Sequence, residues 1–168
     1  DQATVDKISE SLAERIQNSP PRKVYALSDI KVIKDNSIQA VKKYNDTLDS
    51  IHKKYPVNQN AMDVLQKFII DENNVDSSVL SELDPIIKQT NKIISAITKV
   101  SVPQSFASLH IDFINGLQRL VENLGDIKLY DSDVIIALSG ISQYEKNTTI
   151  LDSVSNNLAK AINLKLNN

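Results

Sequence analysis

The chain has no cysteine, which removes disulfides, thiol catalysis and most zinc sites at once. Glycine occurs three times and proline five times in 168 residues, too rarely for the tight turns of an all-β fold. Long helices need little such punctuation, so the composition leans towards α. No apolar run approaches the ~18–20 residues that cross a bilayer, and no transmembrane segment is expected in this chain. Basic charge is not in excess either: 19 Lys and Arg stand against 21 Asp and Glu, for a formal net charge of −2. A nucleic-acid binder concentrates Lys and Arg into a stripe that displaces counterions from phosphates. Here the nearest groupings are Lys42–Lys43 and Lys53–Lys54, with Asp46 and Asp49 between them. Nucleic acid is not an expected partner. Glycine-rich phosphate loops, nucleophile elbows and zinc-protease motifs are also missing.

What remains is an ordinary globular composition, 41% apolar and 24% charged, far from the disordered class. The length suits one domain, 1–168, with a core that needs no staple. Lys far outnumbers Arg, and Ile and Asn are heavily used, a pattern read as codon bias. The first residue is Asp1 rather than Met. A leader or anchor removed from the N-terminus is expected, although a trimmed chain would begin the same way.

Apolar residues recur at helical spacing along most of the chain. Val5, Ile8, Leu12 and Ile16 predict a first amphipathic helix over Ala3–Asn18, peripheral to the rest and stopped by Pro20–Pro21. The stretch Val24–Lys34 is rich in β-branched residues and reads as either extended or a helical turn or two, leaving 24–36 open. Asp35-Asn36-Ser37 is a capping cluster for a helix carrying Val41, Tyr44, Leu48, Ile51 and Tyr55, ended by Pro56. A shorter helix is predicted over Ala61–Ile70, capped by Asn58 or Asn60, with a loop at Asp71–Asn74. Leu80, Leu83, Ile87, Thr90, Ile94 and Ile97 mark a longer helix that restarts at Asp84-Pro85. Pro103 is expected to open the next helix and Gly125 to close it in a left-handed stop. From Val134 to about Lys165 a seven-residue repeat runs without a proline, favouring a left-handed supercoil with its neighbours. The expected fold is all-α: an elongated bundle of four or more main helices with left-handed coiled packing.

Candidate chemistry is sparse. His110 falls inside the apolar arc formed by Phe106, Leu109, Phe113, Leu117, Leu120 and Leu124. It reads either as a ligand-binding or proton-switching group or, more plainly, as a core histidine bonded to a carbonyl or carboxylate. His52 sits at the edge of a helix face and reads as solvated. Neither histidine has a Glu three residues before it, so the helical di-metal pattern fails. Asp131-Ser132-Asp133 lacks the glycine and terminal Glu of a calcium loop and reads as a helix cap. No catalytic, metal or cofactor residue is assigned, and no enzyme is expected. The Asn-x-Thr triplets at Asn45 and Asn147 are what chance gives in an Asn-rich chain. Thr148 and Ser155, polar positions in the last repeat, mark either a small cavity or helix register. Ile111, Ile136 and Ile150 lie outside the main stripes, covered by other helices or forming a partner surface.

Three stretches carry a resemblance: Tyr25–Ile30 with Asp35–Tyr44, Val102–Leu117 and Ile136–Tyr144. Together, over roughly residues 24–162, the chain resembles a family of uncharacterised helical proteins of small-genome bacteria. Those proteins carry an N-terminal membrane or signal segment and are found near genes for type IV pili or type IV secretion components. By that pattern Tyr44, Pro103, His110, Asn115 and Tyr144 are family positions. Family members often have Asp-Pro where this chain has Asp131-Ser132. The family brings no activity with it. The resemblance implies an extracytoplasmic setting, and with it a structural or adhesive component of an envelope apparatus, binding protein partners through helix faces. The competing expectation is a sensor or small-molecule binder in which His110, Tyr44 and Tyr144 line a pocket.

Overall fold

A computed structural model describes residues 1–17 and 21–168. Among these residues the chain forms six α-helices: α1 (Gln2–Gln17), α2 (Ile38–Lys54), α3 (Ala61–Phe68), α4 (Asp84–Ile97), α5 (Ala107–Ile127) and α6 (Val134–Leu166). The protein is mostly helical, but two small sheets interrupt it. Strand β1 (Lys31–Ile33) pairs in parallel with β4 (Ser101–Pro103), and β2 (Ile69–Asp71) pairs antiparallel with β3 (Asn74–Val75). No helix among the described residues is long and apolar enough to cross a membrane.

Local chemistry accounts for most of the helix starts. Ser37 accepts from the Ala40 N–H at the start of α2, Asn60 from Met62 at α3, and Asp133 from Ile136 at α6. Pro85 lies in the first turn of α4, and the preceding Ser77–Leu83 is a 3₁₀ segment, so the apolar run from Val79 to Val100 does break at Asp84. The open stretch after Val24 resolves into a short 3₁₀ turn, Leu27–Asp29, followed by β1.

Three boundaries differ from the sequence reading. Helix α5 passes through Gly125 and ends at Ile127, and no residue described has the positive φ of a left-handed stop. Leu124 and Ile127 are both buried, and anchoring them in the core keeps the last turn helical against glycine's weak propensity. Pro103 does not open α5. It closes β4, where its fixed φ suits an extended residue (ψ 137°), and a 3₁₀ turn over Gln104–Phe106 leads into the helix. Ile69 and Ile70 leave the predicted helix to form β2. Asp71 accepts from the Asn73 N–H and from the Asn74 side chain, which closes the turn of that hairpin.

Helices α5 and α6 pack closely at the centre, and two glycines permit the approach. A Cβ on Gly140 would lie 2.7 Å from the Asn123 carbonyl oxygen, and one on Gly116 would lie 2.8 Å from Leu151 Cδ1. Around this pair the core falls into clusters. One gathers Phe68, Leu83, Leu124, Ile127 and Tyr144; a second gathers Val41, Tyr44, Val102, Phe106, Leu158 and Ile162. Ile94, Ile97 and Ile114 form a third. At ~1.5 Å per residue α6 alone is roughly 50 Å long. Helix α1 rests on α6 and buries little: Leu12 and Ile16 are half-buried, while Val5 and Ile8 of the same stripe are each 54% exposed. Asn18 and Pro20, the expected end of that helix and its stop, lie outside the described residues.

Candidate functional site

His110 stands in the first turn of α5 and is completely enclosed. Its Nε2 donates to the Ile97 carbonyl at the end of α4, 2.9 Å away. A carbonyl can only accept, so this contact places the ring proton on Nε2 and leaves Nδ1 as an acceptor. The Tyr44 hydroxyl, from α2, donates to Nδ1 at 2.6 Å. Both ring nitrogens are thus engaged inside the protein. Phe106 packs against Tyr44 with ring centroids 5.9 Å apart and helps to seal the pair.

Burial sets the electrostatics of this pair. It holds the His110 pKa below the ordinary 6.5, with the Ile97 carbonyl opposing, because a charged imidazolium loses its hydration there. The same desolvation pushes the Tyr44 phenol well above its ordinary 10.0. A neutral histidine and a neutral tyrosine, locked in one tautomer, tie α2, α4 and α5 together. Proton exchange with an outside molecule would require the helices to part.

Tyr144 does not join them. It belongs to the other core cluster, beside Leu124, and lines a hollow of about 360 Å³ with Asn58, Asn60 and Thr90. Burial raises its pKa too, and the Thr148 side chain beside it works in the opposite direction. Thr148 itself donates to the Tyr144 carbonyl. Ser155 lines a different hollow, about 210 Å³, whose wall is apolar (Leu48, Ile93, Phe113) and whose rim carries Asp49 and the exposed His52. Asp133 is engaged as the cap of α6, and among the described residues no cluster of His, Cys, Asp or Glu is placed to hold a metal ion.

The most extensive polar arrangement escaped the sequence reading. Asn115, Arg119, Glu122 and Asp126 recur at steps of four, three and four, on one face of α5. They grip the extended segment 22–25. Glu122 Oε1 accepts from both the Arg22 and Lys23 backbone N–H groups at 2.9 Å. Asn115 accepts from the Tyr25 N–H at 2.8 Å and donates to its carbonyl at 3.0 Å, as a neighbouring strand would. Arg119 bonds the Lys23 carbonyl and pairs with Glu122. Asp126, only 4% exposed, takes the Arg22 guanidinium at 2.7 Å, which raises the Arg22 pKa. The signal was available: four polar residues on one face of a helix whose remaining faces are largely apolar. A polar stripe usually means solvent, and here it means another piece of backbone.

No known protein family, curated protein or solved structure matches the chain. The site must therefore be read from its geometry. That geometry offers an enclosed tyrosine–histidine pair, a backbone clamp along α5, and two surface hollows of different character.

Proposed function

We propose that the chain is a non-enzymatic, extracytoplasmic helical-bundle protein that serves as a structural or adhesive component of a cell-envelope apparatus of the type IV pilus or type IV secretion kind. The observation that carries this reading is the apolar stripe of α1, whose first half, Val5 and Ile8, is left uncovered. Asp6, Glu10 and Glu14 run beside it in four-residue steps, so a partner helix would bring apolar anchors flanked by cations. His110, the residue best suited to acid–base work, is enclosed with both nitrogens committed. The resemblance over residues 24–162 supplies the envelope setting. The seven-residue repeat of α6 is consistent with a left-handed wrap against its neighbours.

Chemical cross-linking of fractionated source cells tests the proposal. Cross-links from Lys7 or nearby lysines to pilus or secretion subunits are expected, and Val5→Lys with Ile8→Lys should abolish them. A monomer that binds no envelope component and cross-links to nothing would end it.

A second reading, a small-molecule binder, is favoured by one observation. The hollow at Tyr144 is lined without a single charged side chain.

A further inference from the structure

The hollow at Tyr144 lies between the loop before α3, helix α4 and the α5–α6 pair. Its volume of about 360 Å³ falls within the ~300–1,000 Å³ usual for small-molecule sites. A second hollow of about 300 Å³ shares Val57, Asn58, Gln59 and Ile86 with it and continues it towards Gln89. Neither lining contains Asp, Glu, Lys, Arg or His, in a chain where charged residues make up 24%.

The polar groups present are carboxamides and hydroxyls, which can each both donate and accept. Several have capacity left over. Asn60 uses its Oδ1 on the Met62 N–H, which leaves its NH₂ free to donate. Gln89 gives its NH₂ to the Pro56 carbonyl, which leaves its oxygen free to accept. Thr90 donates to the Ile86 carbonyl and keeps its lone pairs. Tyr144 is 8% exposed and lines the hollow, with the Thr148 side chain beside its hydroxyl. The floor beneath these groups is apolar, formed by Ile86, Leu120 and Leu124.

Those features narrow the ligand by exclusion. A charged molecule would surrender hydration here and meet no counter-charge. A wholly apolar one would leave the Asn60 NH₂ and the Gln89 oxygen facing it without a partner. A ligand dense in hydroxyls, neutral, and with one C–H face satisfies both the rim and the floor. We propose that this hollow binds a neutral saccharide of one or two pyranose units, with its C–H face on Ile86 and Leu124 and its hydroxyls on Tyr144, Thr90 and the carboxamides. The proposal rests on the small-molecule reading above and is independent of the α1 surface.

The test is an amide-shift titration of the full ¹⁵N-labelled chain by NMR, using maltose and N,N′-diacetylchitobiose as probes and citrate and spermine as charged controls. Saturable shifts at Gln59, Ala61, Thr90 and Tyr144 are expected with a saccharide and not with the controls. Tyr144→Phe, which keeps the packing, and Asn58→Ala, in an exposed loop, should each weaken binding roughly three- to tenfold, the effect of one neutral hydrogen bond. Absence of saturable shifts at these amides with either saccharide, or affinities unchanged in both variants, overturns the proposal. Shifts at the same amides with citrate or spermine in place of sugar overturn the saccharide while leaving a ligand site.

Discussion

The Tyr44 hydroxyl donates to His110 Nδ1 at 2.6 Å, and this single contact joins α2 to α5 inside a part of the core that is otherwise apolar. It also fixes which nitrogen carries the proton. The long-range ¹⁵N–¹H pattern of the imidazole should show Nε2–H as the neutral tautomer at pH 8. Appearance of the Nδ1–H form would mean that the Ile97 contact has the opposite polarity.

A pH dependence follows from the same burial. The folded His110 pKa lies below the unfolded value of about 6.5, so below that pH the unfolded chain binds the extra proton. The stability His110 contributes is therefore complete above 6.5 and is lost as pH falls towards its folded pKa. The slope from this one group is at most about 1.4 kcal/mol per pH unit. Urea unfolding at pH 7, 6 and 5 should show this decline in the natural chain and a shallower one in His110→Gln. Parallel curves would show that the histidine is not the titrating group.

Tyr44→Phe removes the donor and leaves Nδ1 buried without a partner. The expected loss is about 1–3 kcal/mol, the usual penalty for an unsatisfied buried acceptor. A thermal scan would register it as a fall in Tm of about 2–4 °C per kcal/mol for a chain of this size. An unchanged Tm would show that water takes the hydroxyl's place.

The glycines should respond in opposite ways. A Cβ at Gly140 meets the Asn123 carbonyl at 2.7 Å and both Asp126 and Ile127 at 3.0 Å, so Gly140→Ala must push α5 and α6 apart. Overpacking of this kind costs typically about 1–3 kcal/mol. At Gly125 a Cβ would meet nothing within 4 Å and the backbone is helical, so Gly125→Ala should stabilise by up to about 1 kcal/mol. Chemical denaturation of the two variants side by side decides the point, and the same sign for both would contradict the packing described.

The clamp on α5 can be opened without touching the apolar core. Asn115→Ala deletes both bonds to Tyr25, each worth roughly 1 kcal/mol. Hydrogen exchange at the Tyr25 amide should accelerate about fivefold or more, with little change in α5 itself. Equal acceleration throughout α5 would show that Asn115 supports the helix rather than the segment it holds.

Much of the fold was legible because the helices announce themselves by period and cap. Val41, Tyr44, Leu48 and Ile51 gave α2, and Ser37, Asn60 and Asp133 are the caps their positions suggested. What failed to read from the sequence depends on partners distant along the chain. Gly125 looked like a stop because nothing local reveals that Ile127 reaches the core. Val32 and Ile33 were ambiguous because a three-residue strand is defined by its mate, here Val102 and Pro103. The site divided in the same way. An apolar arc around His110 foretold its burial, but the meeting with Tyr44 and the separation from Tyr144 come from how the helices cross. The shared role of Asn115, Arg119, Glu122 and Asp126 did not read from the sequence, since an extended backbone leaves no pattern of its own in the residues that grip it.

The parallel ladder between β1 and β4 has a consequence for biosynthesis. Lys31 must wait for Ser101, seventy positions later, before its strand has a neighbour. At about 5–20 residues per second that interval is roughly 4–14 s on the ribosome. Closing so long a loop costs about 4 kcal/mol in chain entropy, which defers the pairing further. Until then Val32 and Ile33 present an open edge, the kind of template on which nascent chains stick to one another. The residues that pin segment 22–25 emerge later still, from Asn115 to Asp126. The amino-terminal third of this protein is therefore made first and seated last.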